Sequence, residues 1–196
     1  MQLNSIDIIL LLLYSPGYTG LTNEPIDGRT KITKMLFLFE KELSKKFKLG
    51  KLTGDEDIFK FTAWNFGPMS STIFKNLDFL KNIGFVESAI ASSHRLTAEE
   101  VDEYNYYREE DSENENLITE YKSEKFSLTQ KGINFINDKG KYRALTEDQK
   151  RYLQEYKSKL NKANLRDILK YVYLTYPDFT VNSKIKDKVL GDVDND

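Results

Sequence analysis

The sequence predicts an α+β protein that is mainly helical, and three observations support this prediction. Apolar residues repeat at helical spacing in several segments, so most of the regular structure should be helix. The predicted elements run helix, helix, strand, helix, strand, long tip, strand, helix, with further helices after them. A Gly67-Pro68 pair stands directly before the third helix. This order is typical of a winged helix-turn-helix core, here with a long acidic wing and added C-terminal helices.

The first helix is expected in the apolar run SIDIILLLLYS, with Ser5 as its N-cap and Pro16-Gly17 after its end. The run is about half of the ~20 residues that a membrane-spanning helix needs. No Lys or Arg precedes it and no small-residue cleavage site follows it, so a secretory signal is not expected either. We interpret the run as a fully buried core helix.

Apolar periodicity also defines the next two helices. The second should be long, with an apolar stripe at Ile32, Leu36, Phe39, Leu43 and Phe47. A strand is expected in IFKFTAWNF, and the third helix over residues 69–83 with Pro68 at or just before its first turn. The third helix should bury Met69, Ile73, Leu77, Leu80 and Gly84 and present Ser71, Lys75, Asp78 and Asn82.

Residues 92–116 are polar and acidic and show no periodicity, so we predict a long loop between two strands of the wing. Later helices should begin at Thr129, Thr146 and Asn164, each a good N-cap residue, and a short last helix at Ser183. The expected organisation is a winged-helix domain over 1–144 and a helical extension over 145–196. The extension should either pack on that domain or form a homodimer interface.

The net charge of −2 conceals three blocks of opposite sign. Residues 29–51 hold eight Lys or Arg against two Glu, and residues 99–120 hold ten Asp or Glu against one Arg. Residues 139–188 hold thirteen basic against six acidic residues. Such segregation favours contact with a polyanion or with a charged protein partner.

Three blocks carry a family resemblance: GRTKITKMLFLFE from Gly28, FTAWNFGPMSSTIFKNLDFLKNIGFVE from Phe61, and FSLTQKG from Phe126. Together they resemble winged-helix proteins of the Panacea (SocA-like antitoxin) type and related uncharacterised bacterial and archaeal winged-helix proteins. The shared features are an R-T-K/R-hydrophobic helix start, a GP before the third helix and an LT-x-x-G after the wing. The resemblance implies a winged-helix fold and a non-enzymatic role, from which the long acidic wing is a departure.

Few residues are available for catalysis. The chain has no cysteine, which favours a reducing, cytoplasmic setting and removes thiolate chemistry. His94 is the sole histidine, so a zinc site is not expected, and the acidic run matches no calcium-loop spacing. We therefore expect no catalytic residues, no metal and no cofactor.

The first functional hypothesis is a DNA-binding transcriptional regulator. A winged helix lays its third helix in the major groove, and its wing contacts the backbone or the minor groove. The residues expected to contact phosphates or bases are Arg29, Lys31, Lys34, Ser70, Ser71, Lys75 and Asn82. Asp78 in the same helix and the acidic wing oppose this reading, because both would repel DNA.

The alternative hypothesis is a Panacea-like protein-binding module, either an antitoxin or a defence-associated adaptor. Tyr104, Tyr106 and Tyr107 lie inside the acidic segment, and Tyr is enriched at protein interfaces. An acidic wing with three Tyr would suit a basic protein partner. The sequence leaves both hypotheses open.

Overall fold

The computed structural model describes residues 3–44, 57–90 and 124–191, and over these residues the protein is α+β and mainly helical. The described helices are α1 (Ser5–Tyr14), α2 (Arg29–Leu38), α3 (Ser71–Asn82), α4 (Gln130–Asp138), α5 (Glu147–Lys162), α6 (Leu165–Thr175) and α7 (Lys186–Leu190). α2 continues into a π-helical turn, Phe39–Leu43, and α6 is followed by a 3₁₀ turn, Pro177–Phe179. The described strands are β1 (Ile26–Asp27), β2 (Thr62–Trp64), β3 (Gly67–Met69), β4 (Val86–Ile90) and β5 (Glu124–Leu128).

α1 is buried along almost its whole length, as its uninterrupted apolar run predicts. Its N-cap is Asn4 and not Ser5, so that prediction was wrong by one residue. The Asn4 side chain accepts from the Asp7 backbone N–H, and the Asp7 carboxylate accepts from the Asn4 N–H, which makes a capping box. This reciprocal pair stabilises the earlier start. The helix ends before Pro16, as expected.

Two small antiparallel sheets accompany the helices. In the first, the strand order is β1-β5-β4, with Ile26 opposite Phe126 and Val86 opposite Leu128. β1 was not predicted from the sequence, because a two-residue strand carries no periodic signal. The second sheet is the hairpin β2-β3.

Gly67 and Pro68 lie in β3, so the prediction that they form a turn at the start of the third helix was wrong. Gly67 has a φ of 84°, and a Cβ added there would lie 3.0 Å from the Tyr173 ring. α3 therefore begins at Ser71 instead of Met69, and Ser70 is its N-cap. The last helix also begins later than predicted, at Lys186, and the Ser183 hydroxyl instead lies 2.6 Å from the Tyr173 hydroxyl.

The predicted caps at Thr129, Thr146 and Asn164 are confirmed, since each side chain accepts a hydrogen bond from the backbone three residues later. One hydrophobic cluster unites the described helices from both sides of residue 144. Leu153 and Leu169, from the predicted extension, belong to the same cluster as Ile9 and Leu77. The described part of 145–196 thus packs on the preceding residues.

Candidate interaction surface

α3 has one buried side and one exposed side. Ile73, Leu77 and Leu80 are buried, as predicted. The side chains exposed on the opposite side form what we call the outer face of α3: Ser71, Lys75, Asp78, Phe79 and Asn82. The helix ends in a Schellman motif at Gly84, which has a φ of 71°, so this predicted end is confirmed.

Phe79 is the large apolar member of this face. Its side chain is 48% exposed. The outer face therefore combines one cation, one anion, one aromatic ring and two uncharged polar groups.

The Ser70 hydroxyl is engaged inside the protein. It donates a hydrogen bond to the Phe59 carbonyl and accepts one from the Ile73 N–H, and the residue is only 1% exposed. Ser70 thus caps α3 and joins it to the chain before β2. Of the two serines expected to contact phosphate, only Ser71 is exposed.

Arg29, at the start of α2, lies in a group of alternating charges that we call the charge cluster: Arg29, Asp78, Lys81 and Glu124. Its guanidinium donates to Asp78 at 2.9 Å and to Glu124 at 3.0 Å. The Lys81 ammonium lies 3.2 Å from the other Glu124 oxygen. The guanidinium also packs on the Phe126 ring, 5.6 Å from its centroid. The cluster connects α2, α3 and β5 and has no net charge.

The pKa shifts in the charge cluster follow its pairing. Burial alone would raise the pKa of Glu124, but the neighbouring Arg29 and Lys81 outweigh it and hold the pKa below its usual value. Burial alone would lower the pKa of Arg29, but its two carboxylate partners raise it. Both groups are therefore ionised at neutral pH, and each cation of the cluster already has a carboxylate partner.

The ammonium groups of Lys31 and Lys34 point into the protein. Lys31 is 6% exposed, and its Nζ donates to the Asn161 and Ala163 carbonyls at the end of α5, at 2.9 and 2.8 Å. Lys34 is 1% exposed, and its Nζ donates to the Pro68 carbonyl at 3.0 Å. A cation at a helix C-terminus is stabilised by the helix dipole. Both lysines, which were expected to contact phosphates or bases, are thus buried and bonded to backbone carbonyls inside the protein.

The burial of two other ionisable side chains was not predicted from the sequence. Lys157 donates to the Leu13 and Ser15 carbonyls at the end of α1, at 2.7 and 2.8 Å, and burial lowers its pKa to about 7 despite the nearby Glu24. Glu40 lies in the π-helical turn, is 4% exposed and accepts from the Phe59 N–H at 3.0 Å. Burial raises its pKa to about 7. Helical periodicity gave no sign of these positions, since Lys and Glu are ordinarily placed on the surface.

The motifs that carry the family resemblance have structural explanations in this chain. In the LT-x-x-G block, Thr129 donates to the Gly84 carbonyl at 2.6 Å and caps α4 at Gly132. A Cβ on Gly132 would lie 2.2 Å from the Phe85 carbonyl oxygen, so this position has no room for a side chain. In the GP block, the Pro68 carbonyl accepts from Lys34 of the R-T-K block. These residues join elements of the fold.

The acidic segment 92–116, with Tyr104, Tyr106, Tyr107 and His94, lies outside the described residues. Within 3–44, 57–90 and 124–191, no three His, Cys, Asp or Glu side chains are grouped to hold a metal ion. In the same ranges, no helix is both long enough and apolar enough to cross a membrane.

No protein-family model, curated protein or solved structure matches the chain.

Proposed function

We propose that this chain is a non-catalytic, cytoplasmic winged-helix protein that binds a protein partner, as an antitoxin or an adaptor does. The order α1, β1, α2, α3, β4, β5, with the β2-β3 hairpin inserted between α2 and α3, and the sheet order β1-β5-β4 support a winged-helix core, with β4 and β5 as the two strands of the wing. In such a core α3 is the helix that meets the ligand. The chemistry of its outer face is therefore the best guide to the kind of ligand.

The observation that carries the proposal is the composition of this outer face. Lys75 and Asp78 carry charges of opposite sign, Asp78 is paired with Arg29, and Phe79 is 48% exposed on the same face. An aromatic side chain with charges of both signs suits a protein interface, where aromatic anchors supply much of the binding energy. A phosphate backbone instead requires several accessible cations, because its affinity comes from neutralised phosphates. The acidic segment 92–116, identified from the sequence alone, favours a partner that is basic.

The proposal is tested by capturing the partner from an extract of the source cells with the full-length protein and two variants. Phe79→Ala should release the partner, since truncating a central aromatic anchor costs about 2 kcal/mol or more, roughly a thirtyfold loss of affinity. Leu174→Ala is the matched control, because Leu174 is 60% exposed but lies on α6. A captured protein that both variants retain equally would contradict the role of α3.

DNA binding is the second candidate, and one observation favours it. Ser71, Lys75 and Asn82 are exposed on the outer face of α3, where a major groove would be read. Fluorescence anisotropy with a labelled random duplex between ~50 and ~200 mM salt separates the two candidates. Sub-micromolar affinity that falls steeply with salt would favour DNA and contradict the protein-binding proposal. No binding at tens of micromolar would favour a protein partner.

A further inference from the structure

The charge cluster lies beside the outer face of α3 and determines which cations on that surface are available to a ligand. The side chains of Arg29 and Lys81 are 27% and 30% exposed, so a ligand on α3 could reach them. Each is paired, however: Arg29 with Asp78 and Glu124, and Lys81 with Glu124. Within the cluster two positive and two negative charges cancel.

The geometry of these pairs resembles the way Arg binds phosphate. The guanidinium presents a planar array of N–H donors, and here Nη2 and Nε each donate to a different carboxylate, at 2.9 and 3.0 Å. A phosphate group would use the same donors. To reach Arg29, a nucleic-acid strand would have to displace one carboxylate and would then lie beside the charge it had displaced.

We propose that Asp78 and Glu124 are specificity-determining residues that exclude nucleic acid from the surface of α3. They pair with Arg29 and with Lys81 of α3 itself, and they leave Lys75 as the accessible cation of the outer face. This inference rests on the proposed protein-binding function, because it explains how a helix of this shape would meet a protein without also binding nucleic acid.

Asp78 is the better position for the test. Its side chain is 55% exposed, so Asp78→Asn removes one charge without opening the core. Glu87→Gln is the matched control, because Glu87 is an exposed residue of β4 whose carboxylate accepts only from the Ser127 hydroxyl among the bonds described. Both variants raise the net charge by one, but only Asp78→Asn removes a negative charge that is paired with Arg29.

The experiment is a salt series of random-duplex titrations with the full-length protein and both variants. Asp78→Asn should bind about tenfold more tightly than Glu87→Gln at ~50 mM salt, and the slope of log K against log salt should be larger by about 1, as one more phosphate contact requires. The double variant Asp78→Asn, Arg29→Gln should return to the level of Glu87→Gln. Glu124→Gln, which removes the negative charge paired with both Arg29 and Lys81, should show a larger gain and provides a second test at another element.

Equal affinities and equal slopes for Asp78→Asn and Glu87→Gln would overturn the inference, as would a double variant that keeps the full gain. Either result would leave the effect of Phe79→Ala on partner capture untouched. Sub-micromolar, steeply salt-dependent duplex binding by the wild-type protein would instead overturn both this inference and the proposed protein-binding function.

Discussion

Glu40 makes the stability of this protein depend on pH in a direction that can be calculated. Burial raises the pKa of its carboxyl to about 7, and the neighbouring Asp57 adds to this, whereas the Phe59 N–H and the Lys41 ammonium at 3.8 Å oppose it. In the unfolded chain the carboxyl returns to its ordinary pKa near 4.5. At a pH between these two pKa values, the Glu40 carboxyl of the folded protein holds a proton that the unfolded chain has lost.

Stability therefore falls as the pH rises through this window. Below about pH 4.5 both states are protonated at Glu40, and the group contributes no difference. Above about pH 7 the folded protein carries a buried carboxylate, and the loss of free energy of unfolding due to Glu40 is complete. The difference between about 7 and 4.5, at about 1.4 kcal/mol per pH unit, sets an upper limit of about 3 kcal/mol.

The perturbation that tests this reasoning is Glu40→Gln. Glutamine keeps an oxygen that can accept from the Phe59 N–H, now 3.0 Å from Glu40, but it does not ionise. Relative to the wild type, the variant should gain free energy of unfolding between pH 5 and pH 8, by at least 1 and at most about 3 kcal/mol. Urea unfolding of both proteins at several pH values gives these differences directly.

Glu155→Gln provides the control, since it removes one carboxylate from an exposed position on α5. Its difference from the wild type should change little over the same pH range. If the Glu40→Gln difference stays constant within about 0.5 kcal/mol, Glu40 does not hold the proton in the folded state, and the argument from burial fails.

Two further substitutions test the internal contacts made by the motif residues. Gly132→Ala should lower the free energy of unfolding by about 3 kcal/mol, because the new Cβ would lie 2.2 Å from the Phe85 carbonyl oxygen. The control Asn134→Ala, on the exposed side of α4, should change the free energy of unfolding by no more than about 0.5 kcal/mol. Equal effects of the two substitutions would refute the steric explanation. Lys34→Met should cost about 2 kcal/mol, because the Pro68 carbonyl loses its donor, and should leave duplex binding unchanged. Urea unfolding measures both, and a Lys34→Met protein that is fully stable but weaker in duplex binding would restore the role first expected for this lysine.

Local patterns predicted the features that local chemistry determines. The buried faces of α1 and α3 follow from apolar spacing, and the caps at Thr129, Thr146 and Asn164 follow from side chains that bond three residues ahead. The positions of the lysines could not be predicted in this way. Lys31 and Lys34 are bound by carbonyls that lie far along the chain, and charge patterning alone assigns both to the surface.

The same distinction limits what the family resemblance implies about function. Arg29 and Lys34 of the R-T-K block, Pro68 of the GP block and Gly132 of the LT-x-x-G block all make contacts between elements of the fold. In this chain these residues serve the fold, because another ligand could be accommodated without changing any of them. The choice of ligand should depend on exposed positions between the motif residues. On α3 these positions carry Lys75, Asp78 and Phe79, and their charges of both signs and their aromatic ring are the reason to test a protein partner before DNA.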